Sequence, residues 1–278
     1  MKMYKRIIII LILLAGTTVA LLYFVPGKDA ILAGPQSIVY DATNDVYYIS
    51  NGSSNSIVAM DAEGNYTGFV NKGLNQPRGL IMAGANLWVV EPQRISAIDL
   101  LKKTIAYSID LPESKSLTDI AADENGMLYV TDTGGDCLWV VDPSTREKTR
   151  VSDPRLSKPT GIVYDHPRYQ MLLVSGADYS PVFAYDIRAQ TLDIHMDTLY
   201  GDLRGIAIDP ETGAIYFSSV KQKMIVEITL ARNRPEPFIR DIDSVGDMIF
   251  DANHNALQVP LIKQNTIKLI ELGQDSSL

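Results

Sequence analysis

The chain has 278 residues, 46% hydrophobic and 21% charged, with a formal net charge of −8. That balance is ordinary for a globular domain with a sizeable core, and its acidity argues against a nucleic-acid surface. A single cysteine, Cys137, excludes an intrachain disulfide, and His166, His195 and His254 lack metal-ligand spacing.

The first element is unlike the rest. Lys2, Lys5 and Arg6 precede residues 7–25, a run of 19 without a charge. As a helix rising about 1.5 Å per residue, such a run nearly crosses a ~30 Å hydrocarbon core. Residues 1–27 are therefore expected to form a transmembrane signal anchor. A cleaved signal peptide is the alternative, with Thr18-Val19-Ala20 as the cleavage signal. Either way residues 28–278 are exported to a periplasm or cell surface. They are held at the membrane through residues 7–25 if the leader stays, with its cations on the cytoplasmic side, and secreted if it is cut.

From residue 36 onward one phrase recurs six times. Its aliphatic position falls on Ile38, Leu80, Ile120, Ile162, Ile206 and Met248, in steps of 42, 40, 42, 44 and 42 residues. A fixed period of that size signals copies of one supersecondary unit that cannot bury its apolar face alone. The third copy shows the unit best: Leu117–Ala122, the turn Asp123-Glu124-Asn125-Gly126, then Met127–Asp132, Cys137–Asp142 and Thr149–Val151. Short runs rich in Val, Leu, Tyr and Trp, broken by Gly, Asn, Asp and Pro, are strands rather than helices. Six four-stranded units of about 42 residues predict an all-β, six-bladed propeller over residues 28–278. The sixth copy runs out of chain before an outermost strand. The strand-like segment Asp29–Ala33 is expected to complete that blade and close the ring, covering a free sheet edge.

In such a ring the starts of the innermost strands crowd one end of the axis. Those positions are Gln36, Arg78, Thr118, Thr160, Arg204 and Gly246. The ends of the second strands form a neighbouring ring of Asn51, Glu91, Asp132, Gly176, Ser219 and Leu261. Arg78 and Arg204 stand in opposite blades, and two planar guanidinium forks suit a carboxylate or phosphate. Asp119 and Asp247 oppose each other one position deeper. Two other readings stay open. In one, Arg78 pairs with Glu91 and Arg204 with Asp247 or Asp119, a self-neutralised ring that holds the blades in register. In the other, Asn51, Glu91, Asp132 and Asp119 hold a divalent cation such as Ca2+. The Asp that follows the innermost strand (Asp41, Asp123, Asp165, Asp209, Asp251) is expected to cap its turn. Trp88, Trp139, Tyr47, Tyr48, Tyr129 and Tyr216 are expected as packing between blades, and Cys137 as a buried thiol. Tyr179-Ser180-Pro181 breaks the repeat and points toward the mouth.

Two phrases carry a family resemblance. Pro159-Thr160-Gly161-Ile162-Val163-Tyr164-Asp165 and Gly126-Met127-Leu128-Tyr129-Val130-Thr131-Asp132 resemble NHL-type propeller repeats. The six-bladed layout resembles the regucalcin and gluconolactonase superfamily of metal-dependent lactonases and esterases. The resemblance implies a divalent metal at the channel mouth, held by a Glu, Asn residues and an Asp at the starts of innermost strands. The corresponding positions here are Gln36, Thr118, Thr160 and Arg204. Two negative charges are lost and a positive one gained, so the ligand set is replaced and no cofactor is expected. The resulting expectation is a non-catalytic binding or scaffold module. It would take a protein or small ligand, an anion in the reading above, at a mouth made of Gln36, Arg78, Thr118, Asp119, Thr160, Arg204 and Asp247. A divergent lactonase- or esterase-type hydrolase is the alternative.

Overall fold

Alternating apolar and polar side chains over five or six residues, stopped by Asp, Asn or Gly, give strands too short to stand alone. The computed structural model describes residues 7–14, 17–24 and 31–273. Five sheets of four antiparallel strands and a sixth of three follow one another along residues 35–271. The innermost strands are Pro35–Asp41, Leu80–Ala83, Leu117–Ala122, Pro159–Asp165, Leu203–Ile208 and Ile249–Asp251. They line a common axis, making a six-bladed β-propeller. In four blades the inner strand is bulged where it starts, at the register shifts between Pro35 and Ile38, Leu117 and Ile120, Pro159 and Ile162, and Leu203 and Ile206. A bulge re-aims a side chain out of the pleat, and here it turns these residues toward the axis.

The core is divided into seams between adjacent blades. Each blade presents its aliphatic and aromatic face to the next, and five seams bury ten or more apolar side chains apiece. Trp88, Trp139, Tyr47, Tyr48, Tyr129 and Tyr216 all lie in these seams, as their strand positions predict. Cys137 is buried between blades two and three, and burial pushes its thiol pKa up.

A second regularity holds the entry loops of blades one to five. The side chain ending the second strand bonds backbone groups of the segment that leads into the same blade. Asn51 accepts from Ala33 and donates to the Ile31 carbonyl. Glu91 accepts from Asn75, and Asp132 from Lys115 and Ser116. Ser175 donates to the Ser157 carbonyl, and Ser219 to that of Gly201. The blade-four member of this ring is therefore Ser175 rather than Gly176, because Pro159 pairs with Ser175. Asp132 also accepts from Gly135. Removing the Asp132 carboxylate strands several amides, each costing about 1–3 kcal/mol when left unpaired. Asp132→Ala is expected to cost about 3 kcal/mol in chemical denaturation, and an unchanged midpoint would refute the latch.

The Asp residues after the inner strands cap their turns at Asp41, Asp123, Asp209 and Asp251. At Asp165 the chain makes a short 3-10 turn instead, and its carboxylate holds Arg168 and Gln170.

Two expectations near the N-terminus are corrected. Residues Ile7–Leu14 and Thr17–Phe24 form an antiparallel hairpin, Ile7 opposite Phe24, rather than a helix. The β-branched run Ile7–Ile10, with Thr17, Thr18 and Val19, favours extended backbone over helix. No helix among the described residues is long and apolar enough to cross a membrane. Of the predicted closing strand, Asp29 and Ala30 fall outside the described residues, and Ile31–Ala33 form no ladder with blade six. Asn51 captures their backbone first, with both amide atoms of its side chain. Closure comes from Leu32, buried in the seam between blades one and six, and from the Gly34 amide, which donates to Asn265 Oδ1 at 2.7 Å.

Candidate binding site at the mouth of the ring

One position in the repeat, the residue just before the recurring aliphatic, forms the neck of the axis. In chain order it is Ser37, Gly79, Asp119, Gly161, Gly205 and Asp247. Gly161 and Gly205 lie so close to their neighbours that a Cβ would overlap the carbonyl oxygen of Arg204 or approach that of Gly246 to 2.6 Å. Three glycines and a serine leave just enough width for the two aspartates to meet across the axis, where their carboxyls hydrogen-bond to each other. Asp119 accepts from the Ile120 amide through Oδ1 and from the Ile162 amide of the next blade through Oδ2, at 2.8 and 2.9 Å. Asp247 Oδ2 accepts from Ser37 Oγ at 2.8 Å. Two carboxyls in hydrogen-bond contact need one proton between them. Burial pushes Asp119 up to about 7. Burial, and then the charge of Asp119, raises Asp247 well above the usual carboxylate range.

Above this neck lies a cup of about 280 Å³, opening into a wider, polar recess of about 630 Å³. Gln36, Arg78, Thr118, Asp119, Thr160, Arg204 and Asp247 all line the cup. The structure thus brings together all seven residues that the repeat singled out. Their partners differ from the self-neutralised ring. Glu91 binds Arg94, three residues on, through two contacts of 2.7 Å, and does not reach Arg78. Arg204 is exposed and pairs with Asp202 at 2.9 Å, not with Asp119 or Asp247. Arg78 is half-buried and makes no ion pair among the described residues. Its Nη1 donates to Ser116 Oγ and the Leu117 carbonyl, and burial lowers its pKa. An arginine stays charged at neutral pH even so.

Lys263, Asp243 and Ser244 also border the cup and were not anticipated. The signal was present: Lys221 and Lys263 stand 42 residues apart, at one repeat position. Both are matched, Lys221 with Asp178 and Lys263 with Asp243. Tyr179 is exposed beside Lys221, whose ammonium lies 4.2 Å from its ring, and it does not line the cup.

The divalent-cation readings fail on donor chemistry. Asn51, Glu91 and Asp132 serve separate entry loops in three blades, and Asp119 lies at the neck. Among the described residues no three His, Cys, Asp or Glu groups converge on a metal position. At the positions matching the lactonase ligands, Thr160 Oγ1 already donates to the Val174 and Leu203 carbonyls, and Thr118 Oγ1 lies 2.5 Å from Thr133 Oγ1. Gln36 and Arg204 complete that set without a negative charge, so the residues present do not fit the metal.

No family model matches the chain, and neither does any curated protein. Solved structures do. A gluconolactonase from Xanthomonas campestris superposes with a TM-score of 0.73 at 13% identity, covering 87% of this chain and 86% of its own. An auxiliary nutrient binding protein from Bacteroides thetaiotaomicron gives 0.70 at 14%, covering 86% and 69%. Virginiamycin B lyase from Staphylococcus aureus gives 0.64 at 16%, covering 89% and 86%. The likeness is one of fold. It bears out the resemblance to gluconolactonase-like and NHL-like propellers, a fold shared by lyases, lactonases and binding proteins alike, and the activity has to be argued from the site.

Proposed function

We propose that this chain is an exported, membrane-tethered propeller that binds a small anionic ligand at its mouth without transforming it. Arg78 carries the reading. It is a half-buried guanidinium facing a cavity, with no carboxylate paired to it among the described residues, while Arg204 and Lys263 are matched. Both of its recorded bonds fall on Nη1, so the rest of the planar fork is available to a carboxylate or phosphate oxygen. Thr118 and Gln36 add neutral polar groups beside it. The tether rests on composition alone, the cations at Lys2, Lys5 and Arg6 followed by 19 uncharged residues.

Calorimetric titration of the full chain with inorganic phosphate and with succinate tests the site. Arg78→Ala is expected to weaken binding at least tenfold, a loss of about 1.4 kcal/mol or more, whereas Arg204→Ala changes it only about twofold to threefold. Equal binding by wild type and Arg78→Ala overturns the reading. Turnover of a lactone or aryl ester by the wild-type protein would favour the divergent hydrolase instead. The mass of the mature protein and its partition into the membrane fraction of its host test the tether.

A further inference from the structure

The axis has a second chamber. Below the neck, at the opposite pole from the mouth, lies a well of about 290 Å³ lined by the far halves of the innermost strands. Its walls are mostly aliphatic, with Leu80, Ile120, Ile162, Ile206 and Met248 from five successive blades, and Ala122, Tyr164, Ile208 and Phe250 toward the rim. Among its lining residues one is charged, Asp247, which also lines the cup above. The carboxyl pair is thus a septum between two chambers, the upper bordered by cations and the lower by none. Asp247 itself keeps partial exposure, while Asp119 behind it is buried.

We propose that this lower well is a binding site for a small aliphatic amine, with its ammonium group on Asp247, the member of the carboxyl pair that faces the well, and its chain along the apolar walls. Charge complementarity decides the class. No Lys, Arg or His lines the well, so a carboxylate or phosphate entering it would meet only another acid. An uncharged hydrocarbon would gain burial, about 25 cal/mol per Å² of apolar surface removed from water, but would leave the two carboxyls sharing one proton. An ammonium replaces that proton with a full counter-charge where little water screens it. Of the acids beyond the rim, Asp123, Asp209 and Asp251 are held by their own turns, and Glu124, 3.5 Å from the Tyr164 hydroxyl, pairs with His166 at 3.0 Å. The well does not depend on the anion reading of the mouth, since it is a different cavity with the opposite charge preference.

Titration of the full-length protein in nanodiscs, with empty nanodiscs as the blank, is carried out with n-hexylammonium, 1-hexanol and hexanoate. The ammonium is expected to bind one-to-one and at least tenfold more tightly than the alcohol, and hexanoate not at all. Ala122→Phe, which fills the well and leaves the carboxyls in place, is expected to abolish binding. Arg78→Ala should leave it unchanged, which separates this site from the mouth. Asp247→Asn should erase the advantage of the amine over the alcohol. If Ala122→Phe does not fold, Ile208→Trp blocks the same chamber from the wall of blade five. Equal affinity for amine and alcohol, no binding of the amine, or full binding by the blocked variant would each overturn the proposal. The last of these would mean that the ammonium had gone to the acidic outer surface.

Discussion

Asp247→Asn is expected to stabilise the protein at pH 8 and to leave it nearly unchanged at pH 4. Above the ordinary carboxylate value of 3.8 the unfolded chain has released protons that the native Asp119–Asp247 pair retains. The native state then binds more protons than the unfolded state, so stability falls as pH rises. The contribution of the pair is complete below about 3.8 and is lost as pH climbs through about 7, the folded value of Asp119. An asparagine at position 247 removes one of the two acids and can donate to the other. The advantage of the variant at pH 8 should reach about 1–3 kcal/mol, the scale seen when buried like charges are relieved. For a domain of this size that corresponds to a rise of about 2–12 °C in Tm. Melting both proteins at the two pH values and comparing differences cancels every other titrating group. Parallel curves, or a variant weaker at pH 8, would sink the assignment of a shared proton at the neck.

Gly161→Ala should be among the most damaging single-methyl changes in the ring. Its Cβ would overlap the Arg204 carbonyl oxygen and sit 3.1 Å from Val174 Cγ2. A backbone oxygen cannot swing aside as a side chain would, so the inner strands of blades four and five must separate. The expected cost is about 3 kcal/mol, the upper end for overpacking, or a fall of about 6–12 °C in Tm. Gly176→Ala is the control. Its Cβ would meet Thr160 Cγ2 at an ordinary 3.4 Å, without a left-handed backbone. It should change stability by no more than about 0.5 kcal/mol. Equal effects of the two substitutions would show that the neck is not packed backbone against backbone.

Much of this was legible in the chain because the repeat is long-range information written locally. The spacing of Ile38, Leu80, Ile120, Ile162, Ile206 and Met248 fixes six blades, and with them which residues share the mouth. Opposition of Asp119 and Asp247 followed from blade number alone. That they touch did not, because contact depends on Gly79, Gly161 and Gly205 narrowing the neck between them. The ion pairs were misassigned for a related reason. Glu91 faces Arg94 across one tight hairpin turn, and Arg204 lies two residues from Asp202. Such neighbours meet with little loss of chain entropy, so they capture the charge before a partner from another strand can. The closing strand was read from the missing outer strand of the sixth copy and the strand-like segment 29–33, which cannot show a competing Asn51 with both amide atoms free. Apolar length suggested a helix over residues 7–25, and length says nothing about the β-branching that favours a hairpin.

The contact between first and last blades differs from the other five in kind. It buries six apolar side chains, Leu32 among them, and leans on single polar links: Tyr47 to Asp251 at 2.5 Å, Ser37 to Asp247, and Gly34 to Asn265. A closed circle needs only one breach to become a linear array, and every module beyond the breach then loses its support from one side. The lifetime of the native protein is therefore expected to turn on this joint, where a few hydrogen bonds hold what thicker hydrophobic packing secures elsewhere. Strengthening it should slow the opening of the ring more than equal reinforcement anywhere else.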